Sequence, residues 1–384
     1  LHHPVGTDAG KVTIESNYLN NITLNNASEL SIKNNRGNNG LSSHAGLFSL
    51  DTCMNLTLTV NRAKGFHLFS DTNVVLTDNN MSWAQGGLDY SAQIIIENVH
   101  DFNLNNNYGY FYADDHDYNL RISHSSLGVV LGDNLINDCY DDSPRGIGVF
   151  DSYDIEILNN YVYKSRATDD DFIGILVGSG NSGTTLVKGN YLDENLNTSG
   201  NDFGVYIEGN NTGDIRVDSN IIKNIKTGIK SLSSMGDRFI FSHNILDSIR
   251  EQGINIQGDS GVFTDNIINS IVGGNGISIN GNGGANVSRN KILGVTAGSG
   301  IVVDAPNSLV ANNYVQSDGV GLSKGISLES NGSGSDIVFN SVNVTGTDVV
   351  NGQGIAVNGG TNYKVKNNIF ANNGGGYAAY INSD

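Results

Sequence analysis

An Asn followed by an apolar pair returns along this chain at intervals of 22 to 30 residues, and no other feature restricts its folding as much. The series runs through Asn80, Asn107, Asn134, Asn160, Asn190, Asn220, Asn244, Asn266, Asn290, Asn313, Asn340 and Asn368. Upstream of many of these stands a Gly-apolar-x-apolar element, as in Gly204-Val-Tyr-Ile, Gly253-Ile-Asn-Ile and Gly325-Ile-Ser-Leu. Between the two lies a second alternating run, such as Asp214-Ile-Arg-Val-Asp. Three period-two segments in about 25 residues, with Gly and Asn at the corners, describe one coil of a parallel β-helix. We term the three strands leading (after Gly), middle, and trailing (after Asn). Every second residue points inward and stacks on its equivalents in neighbouring coils, which builds one continuous core. The recurrent Asn suits the corner before the trailing strand, because it tolerates left-handed backbone and its amide bonds to the Asn above and below.

Composition agrees. The chain of 384 residues holds 49 Gly and 56 Asn, with charged residues at only 16%. Gly and Asn rank low in helix propensity, so a helical fold is excluded. Disorder is a poor fit, because the 38% of hydrophobic residues are regularly spaced. From about Val12 onward the repeats resemble the right-handed parallel β-helix of the pectin-lyase-like superfamily. The resemblance implies an all-β, single-stranded right-handed solenoid of about 12–14 coils of three short strands, one domain over 1–384. Asp336-Ile-Val-Phe-Asn-Ser-Val and Lys366-Asn-Asn-Ile-Phe-Ala-Asn-Asn-Gly-Gly-Gly are similar to repeats in large secreted surface proteins of Bacteroidetes-type bacteria. That likeness implies secretion, a bacterial cell-surface location and a longer parent chain. The repeat is in mid-pattern at both ends, which gives the same expectation of a segment of a longer protein.

With 21 Lys+Arg against 39 Asp+Glu, the net charge of −18 argues against nucleic acid, whose phosphates call for clustered cations. No apolar run reaches the ~18 residues of a membrane span. Cys53 and Cys139 fall about three coils apart, roughly 14 Å at ~4.8 Å per coil, too far for a disulfide, and read as buried thiols.

In the superfamily the outward residues of the leading strands and the loops before them form the substrate groove. The outward series here reads Phe48, His67, Ile95, Arg121, Gly148, Leu176, Tyr206, Lys230, Asn255, Ser278, Val302, Ser327, Ala356 and Ala379. Past Asn255 it is small or apolar, so any site is expected between about His67 and Lys230. The preceding loops contain Asp114-Asp115-His116-Asp117, Asp141-Asp142-Ser-Pro-Arg145, and Lys164-Ser-Arg166-Ala-Thr-Asp169-Asp170-Asp171. From Tyr110 to Asp171 there are 13 acidic against 4 basic residues, half the net charge in a sixth of the length.

Stacked carboxylates repel unless a cation, an Arg or a proton relieves them. One reading is Ca²⁺ held by Asp115, Asp142, Asp169, Asp170 and Asp171, since Ca²⁺ takes six to eight oxygens. Another is acid/base work on a sugar by Asp114, His116, Asp117, Asp141, Asp142 and Arg145, with Arg121, Lys164, Arg166, Tyr206 and Lys230 holding substrate. A third is cation-mediated adhesion to an anionic glycan, and a fourth a solvated acidic edge that keeps the rod soluble. Asp114-Asp-His-Asp117 resembles the Asp-Pro-His-Asp/Glu motif of mannuronan C5-epimerases, with Asp115 in place of Pro and the tetrad in a loop. Asp141-Asp142 resembles the paired Asp of polygalacturonase-type hydrolases, without their Gly-His-Gly and Arg-Ile-Lys partners. Pectate lyases combine Ca²⁺-binding Asp with a catalytic Arg, a role open to Arg121, Arg145 or Arg166. Trp83 and Tyr108-Gly-Tyr-Phe-Tyr112 are available for sugar stacking or for the core. The expectation is an extracellular module contacting polysaccharide or a cell-surface glycan, adhesive or structural, with Ca²⁺ at the acidic loops and no organic cofactor. The rival is a lyase, epimerase or hydrolase with its groove near residues 110–171.

Overall fold

The structure, a computed structural model, describes residues 11–382 apart from 20, 38–46, 86–91, 113–117, 138–144, 165–170, 195–200, 233–237 and 259. The chain divides into two compact units, Leu1–Gly200 and Asn201–Asp384, built on the same coil. In the second unit a leading strand Phe203–Ile207, a middle strand Asp214–Asp218 and a trailing strand Ile221–Lys223 make one turn. Each pairs in parallel with its counterpart in the next turn, so that Tyr206 lies beside Lys230, Arg216 beside Ile240 and Ile222 beside Leu246. Each unit is an all-β parallel solenoid, with about 12 turns in the chain in all. The one helical element among the described residues is the 3₁₀ turn Ser330–Gly332.

Strand pairing leaves each unit cored by stacked side chains. Phe48 and Phe66 meet edge-to-face at 5.4 Å in the first unit, and Phe241 meets Phe263 at 5.5 Å in the second. Large and small residues alternate where stacking would overfill: Gly128 faces Phe102, whose ring occupies the space a Cβ would take. The motif glycine has a related cause. At Gly204 a Cβ would stand 2.6 Å from the carbonyl oxygen of Gly228, and at Gly228 one would stand 2.7 Å from that of Gly253. At these positions of the second unit successive coils approach so closely that a side chain would force the backbone to shift.

The corner before the trailing strand is closed by a side-chain ladder. In the second unit it runs Asn220, Asn244, Asn266, Asn290, Asn313, Asn340, Asn368. At Asn266, Oδ1 accepts from the backbone N–H of Asn244 at 3.1 Å and from its Nδ2 at 3.0 Å. Nδ2 of Asn266 donates to the Phe241 carbonyl and to Asn290 Oδ1, both at 2.9 Å. Backbone groups that a turn would orphan are thereby satisfied.

In the first unit the ladder is Asn17, Asn35, Asn61, Asn79, Asn107, Asp133, Asn160, Asn190. Two sequence positions are thus corrected by one residue: Asn79 and Asp133 occupy the ladder, and Asn80 and Asn134 open the trailing strands. The left-handed residue is also one place earlier than expected. Asp78, Asn106, Asn159, His243, Arg289 and Phe339 have φ between 54° and 59°, and the ladder residue follows each of them. Ladder residues must keep the side chain turned inward to the next coil, so the residue before them supplies the sharp turn.

Cys53 is buried and donates from Sγ to the Asp51 carbonyl at 3.3 Å, and burial pushes its thiol pKa up. Cys139 lies outside the described residues. Among the described residues no helix is long and apolar enough to cross a membrane.

Candidate functional site

The outward row of the leading sheet follows from strand register. In the first unit Ser49, His67, Ile95, Arg121, Gly148 and Leu176 are neighbours in that order. In the second, Tyr206, Lys230, Asn255, Ser278, Val302, Ser327, Ala356 and Tyr380 follow one another. The row read from sequence agrees except at its ends. Phe48 is fully buried and Ser49 takes its place, and Tyr380 replaces Ala379. The short strand Leu47–Asp51 alternates apolar residues on both sides of Ser49, which hid its phase.

On the first unit, four side chains assemble on this face. The Arg145 guanidinium lies 5.1 Å from the Tyr118 ring centre, and that of Arg121 lies 5.9 Å from Phe150. Tyr118 and Phe150 meet edge-to-face at 5.8 Å, joining the two cation–ring pairs into one patch. Gly148 is its floor, since a Cβ there would run into the Tyr118 ring. Each cation–π contact is worth about 0.5–1 kcal/mol at a partly exposed site, which favours these positions of the two guanidinium groups. His67, on the same row, is half-buried with its ring edge to Phe69 at 6.4 Å. Burial lowers its pKa, against the pull of Glu97 and Asp51.

Each acidic segment joins a trailing strand to a leading strand: 113–117 precedes Tyr118, 138–144 precedes Arg145, and 165–170 lies shortly before Ile173. The Arg145–Tyr118 pair therefore stands where two of these segments enter the sheet. Asp114, Asp115, His116, Asp117, Asp141, Asp142, Arg166, Asp169 and Asp170 lie outside the described residues, while Asp171 is half-buried just before its strand. Among the described residues no group of three or more His, Cys, Asp or Glu is placed to hold a metal ion. Trp83 falls on the strand Asn80–Gln85, and Tyr108 and Tyr110 are half-buried on the next trailing strand.

Lys164 was expected to meet substrate, and the structure corrects this. It occupies an inward position, 1% exposed, with Nζ 3.8 Å from Glu194 Oε1 and 5.9 Å from the Phe172 ring. Glu194 is itself fully buried, so the pair is committed to the interior, where removing one partner leaves an uncompensated charge.

On the second unit, the register brings Tyr206 and Lys230 side by side as the outward series implies. Tyr206 stacks on Phe203 with ring centres 4.8 Å apart and planes at 20°. Lys230 Nζ stands 5.0 Å from the Phe203 ring and 6.0 Å from that of Tyr206. Burial, then the charge of Glu208, raises the Tyr206 phenol pKa. A separate open depression of about 370 Å³ lies on the middle sheet of this unit, lined among others by Arg238, Ile240, Val262, Asn286 and Leu309.

Arg121, Arg145, Tyr206 and Lys230 are legible in the sequence, whereas Tyr118, Phe150 and Phe203 join them only in the fold. A usable signal was present: Gly148 on its leading strand and Gly178 just after the leading strand Ile173–Val177 both make room for a neighbouring ring.

Residues 232–384 match the family model described as a right handed beta helix region. No curated protein matches the chain. Among solved structures, the A-module of the Azotobacter vinelandii mannuronan C-5 epimerase AlgE4 aligns with a TM-score of 0.31 at 12% identity, covering 88% of this chain and 89% of that one. The periplasmic alginate epimerase AlgG aligns at 0.27 and 12% identity, covering 92% and 77%. The AlgE6 A-module of A. vinelandii aligns at 0.26 and 10%, covering 88% and 91%.

Proposed function

We propose that this protein is an extracellular, cell-surface β-helix module that contacts polysaccharide through the outward face of its leading strands, in an adhesive or structural role. The observation that carries the reading is the Arg145–Tyr118–Phe150–Arg121 patch. Sugar rings offer apolar faces that lie flat on aromatic rings, and acidic sugars add carboxylates that pair with guanidinium groups. Both Arg groups stand beside the Tyr118 and Phe150 rings, and that pairing suits a carboxylated glycan. Phe203, Tyr206 and Lys230 offer the same combination in the second unit.

The test is equilibrium binding of the full chain to a panel of neutral and acidic polysaccharides. Arg121→Ala and Arg145→Ala should each weaken binding of an acidic polymer about tenfold, the equivalent of ~1.4 kcal/mol. Absence of binding across the panel overturns the reading. Unsaturated products or solvent-proton exchange at a sugar carbon, abolished by His116→Ala or Asp141→Ala, would replace it with an enzymatic one. Ca²⁺ at the acidic segments is part of the proposal and rests on their charge density. EDTA should lower the melting midpoint, and an unchanged midpoint removes Ca²⁺ as a stabiliser.

A further inference from the structure

The corner ladder of the first unit contains one residue of the wrong chemistry. At the other interior positions, from Asn35 to Asn160, an Asn presents an oxygen to the coil before it and an NH₂ group to the coil after it. Asn107 Nδ2 donates to the Leu76 carbonyl at 2.9 Å and to Oδ1 of position 133 at 3.2 Å. Asn160 Nδ2 donates to the Val130 carbonyl and to Asn190 Oδ1, both at 3.0 Å. Position 133 is an Asp. Its Oδ1 does what an Asn oxygen does, accepting the Asn107 N–H at 2.7 Å, and its own N–H donates to Asn160 Oδ1 at 2.9 Å. Oδ2 takes the place of the NH₂ group. By register its neighbours there are the Leu104 carbonyl and Asn160 Oδ1, both acceptors, and it has no hydrogen-bond partner among the described residues.

An ionised carboxylate at this position is unfavourable twice, through burial and through acceptor-to-acceptor repulsion. A protonated one is an isostere of Asn, its O–H donating where the NH₂ would. Among the described residues nothing charged relieves it. On the packed strands, His100, Asp101, Tyr153, Glu156 and Tyr161 are exposed, and Tyr108, Tyr110, Asp154 and Tyr163 are half-buried. Lys164 is engaged with Glu194. Burial accordingly raises the Asp133 pKa to about 7, against the lowering effect of the Asn107 bonds.

A second carboxyl in the same unit repeats the pattern at the corner between leading and middle strands. Asp71 is fully buried, its Oδ1 accepts the Cys53 N–H at 2.6 Å, and its Oδ2 has no partner among the described residues. The groups on its packed strands are Asp51, the Cys53 thiol, His67, Glu97, His100 and Asp101. Burial, with the like charge of Asp51, raises its pKa to about 7 against the backbone bonds of Cys53 and Phe69.

We propose that Asp133, supported by Asp71, is a proton-dependent rung, so that the first unit's corner ladders are complete only while these carboxyls hold their protons and loosen as pH rises. The coil concerned leads through Asn134–Asn137 and residues 138–144 into Arg145, so the device sits directly upstream of the cation–ring patch.

The sign follows from linkage. The unfolded chain releases these protons near the ordinary Asp value of 3.8, and the folded chain keeps them to about 7. Each group therefore contributes fully in acid, loses that contribution as pH climbs between the two values, and contributes nothing further above the upper one. Per group, the unfolding constant grows roughly tenfold per pH unit across that window.

The test compares the full chain with its Asp133→Asn variant in urea unfolding from about pH 4.5 to 8. The ratio of wild-type to variant unfolding constants should climb about tenfold per unit up to neutrality and then level. A ratio independent of pH overturns the proposal. Amide exchange localises the effect: relative to the variant, the Asn107 N–H of the wild type should lose protection as pH rises. Should Asp133→Asn fail to fold, the wild-type infrared spectrum decides. A protonated-carboxyl band that persists at about pH 6 supports the proposal, and its absence there overturns it.

Discussion

The two units follow one coil plan with different strictness. In the second, every ladder position is Asn from Asn220 to Asn368, and the glycine column continues unbroken through Gly204, Gly228, Gly253, Gly276, Gly300, Gly325 and Gly354. In the first, Asp133 enters the ladder, and Gln93 and Asn119 share the column with Gly65 and Gly146. The acidic segments belong to this unit as well. A solenoid position is held by its neighbours above and below, so a deviation costs little beyond its own coil. Chemistry-bearing residues collect where the repeat is least regular, and the regular unit shows what the deviations displaced.

The comparison breaks most readily at the ladder. Asn266→Ala should cost the second unit about 3–5 kcal/mol by denaturant unfolding, because it orphans the Asn244 N–H and the Phe241 carbonyl together. A loss under ~1 kcal/mol would mean that the amide ladder is not what holds this unit. Gly253→Ala should cost about 2–3 kcal/mol, since its Cβ would meet Ile268 Cγ2 at 2.9 Å as well as the Gly276 carbonyl.

Two smaller effects sharpen it. Phe339 holds φ 59° with its ring 55% exposed, so Phe339→Asn should stabilise by up to about 1 kcal/mol at a left-handed position that Asn tolerates. Asp265 contributes to the acid response of the second unit. Hydrogen bonds from Arg289, at 2.8 Å from both Nε and Nη2, hold its pKa below the ordinary value of 3.8. Its contribution is present above that value and is lost as pH falls through the lower folded one, opposite in sign to Asp133. Arg289→Asn should move the Asp265 titration upward in carboxyl NMR, and an unmoved titration would assign the low value to Thr264 and His243.

Much of the fold was legible because stacking coils forces one periodicity on three strands. Its errors have local causes. Asn79-Asn80 offers two candidates for one corner, and Asp133-Asn134 places an Asn beside the true rung. Only the bond pattern shows which residue turns inward. The candidate site was legible as a row: Arg121, Tyr206 and Lys230 follow from outward alternation once the leading strands are phased. Tyr118 and Phe150 were not, because an aromatic in a β-helix serves the core or the surface equally well by composition. Lys164 read as a free cation because sequence does not show that Glu194 is buried beside it.

By itself, then, the sequence determined the coil: its approximate length, the presence of Gly and Asn corners to within a residue, and the alternating character of its strands, all set by short-range backbone preference and apolar periodicity. Tertiary structure alone decided what coils about 25 residues apart do to one another. It joined Arg145 to Tyr118 and Phe150, gave Lys164 to Glu194, and set the second oxygen of Asp133 against acceptors. Those outcomes depend on register between coils, and a shift of one residue would turn each of these side chains to the opposite face.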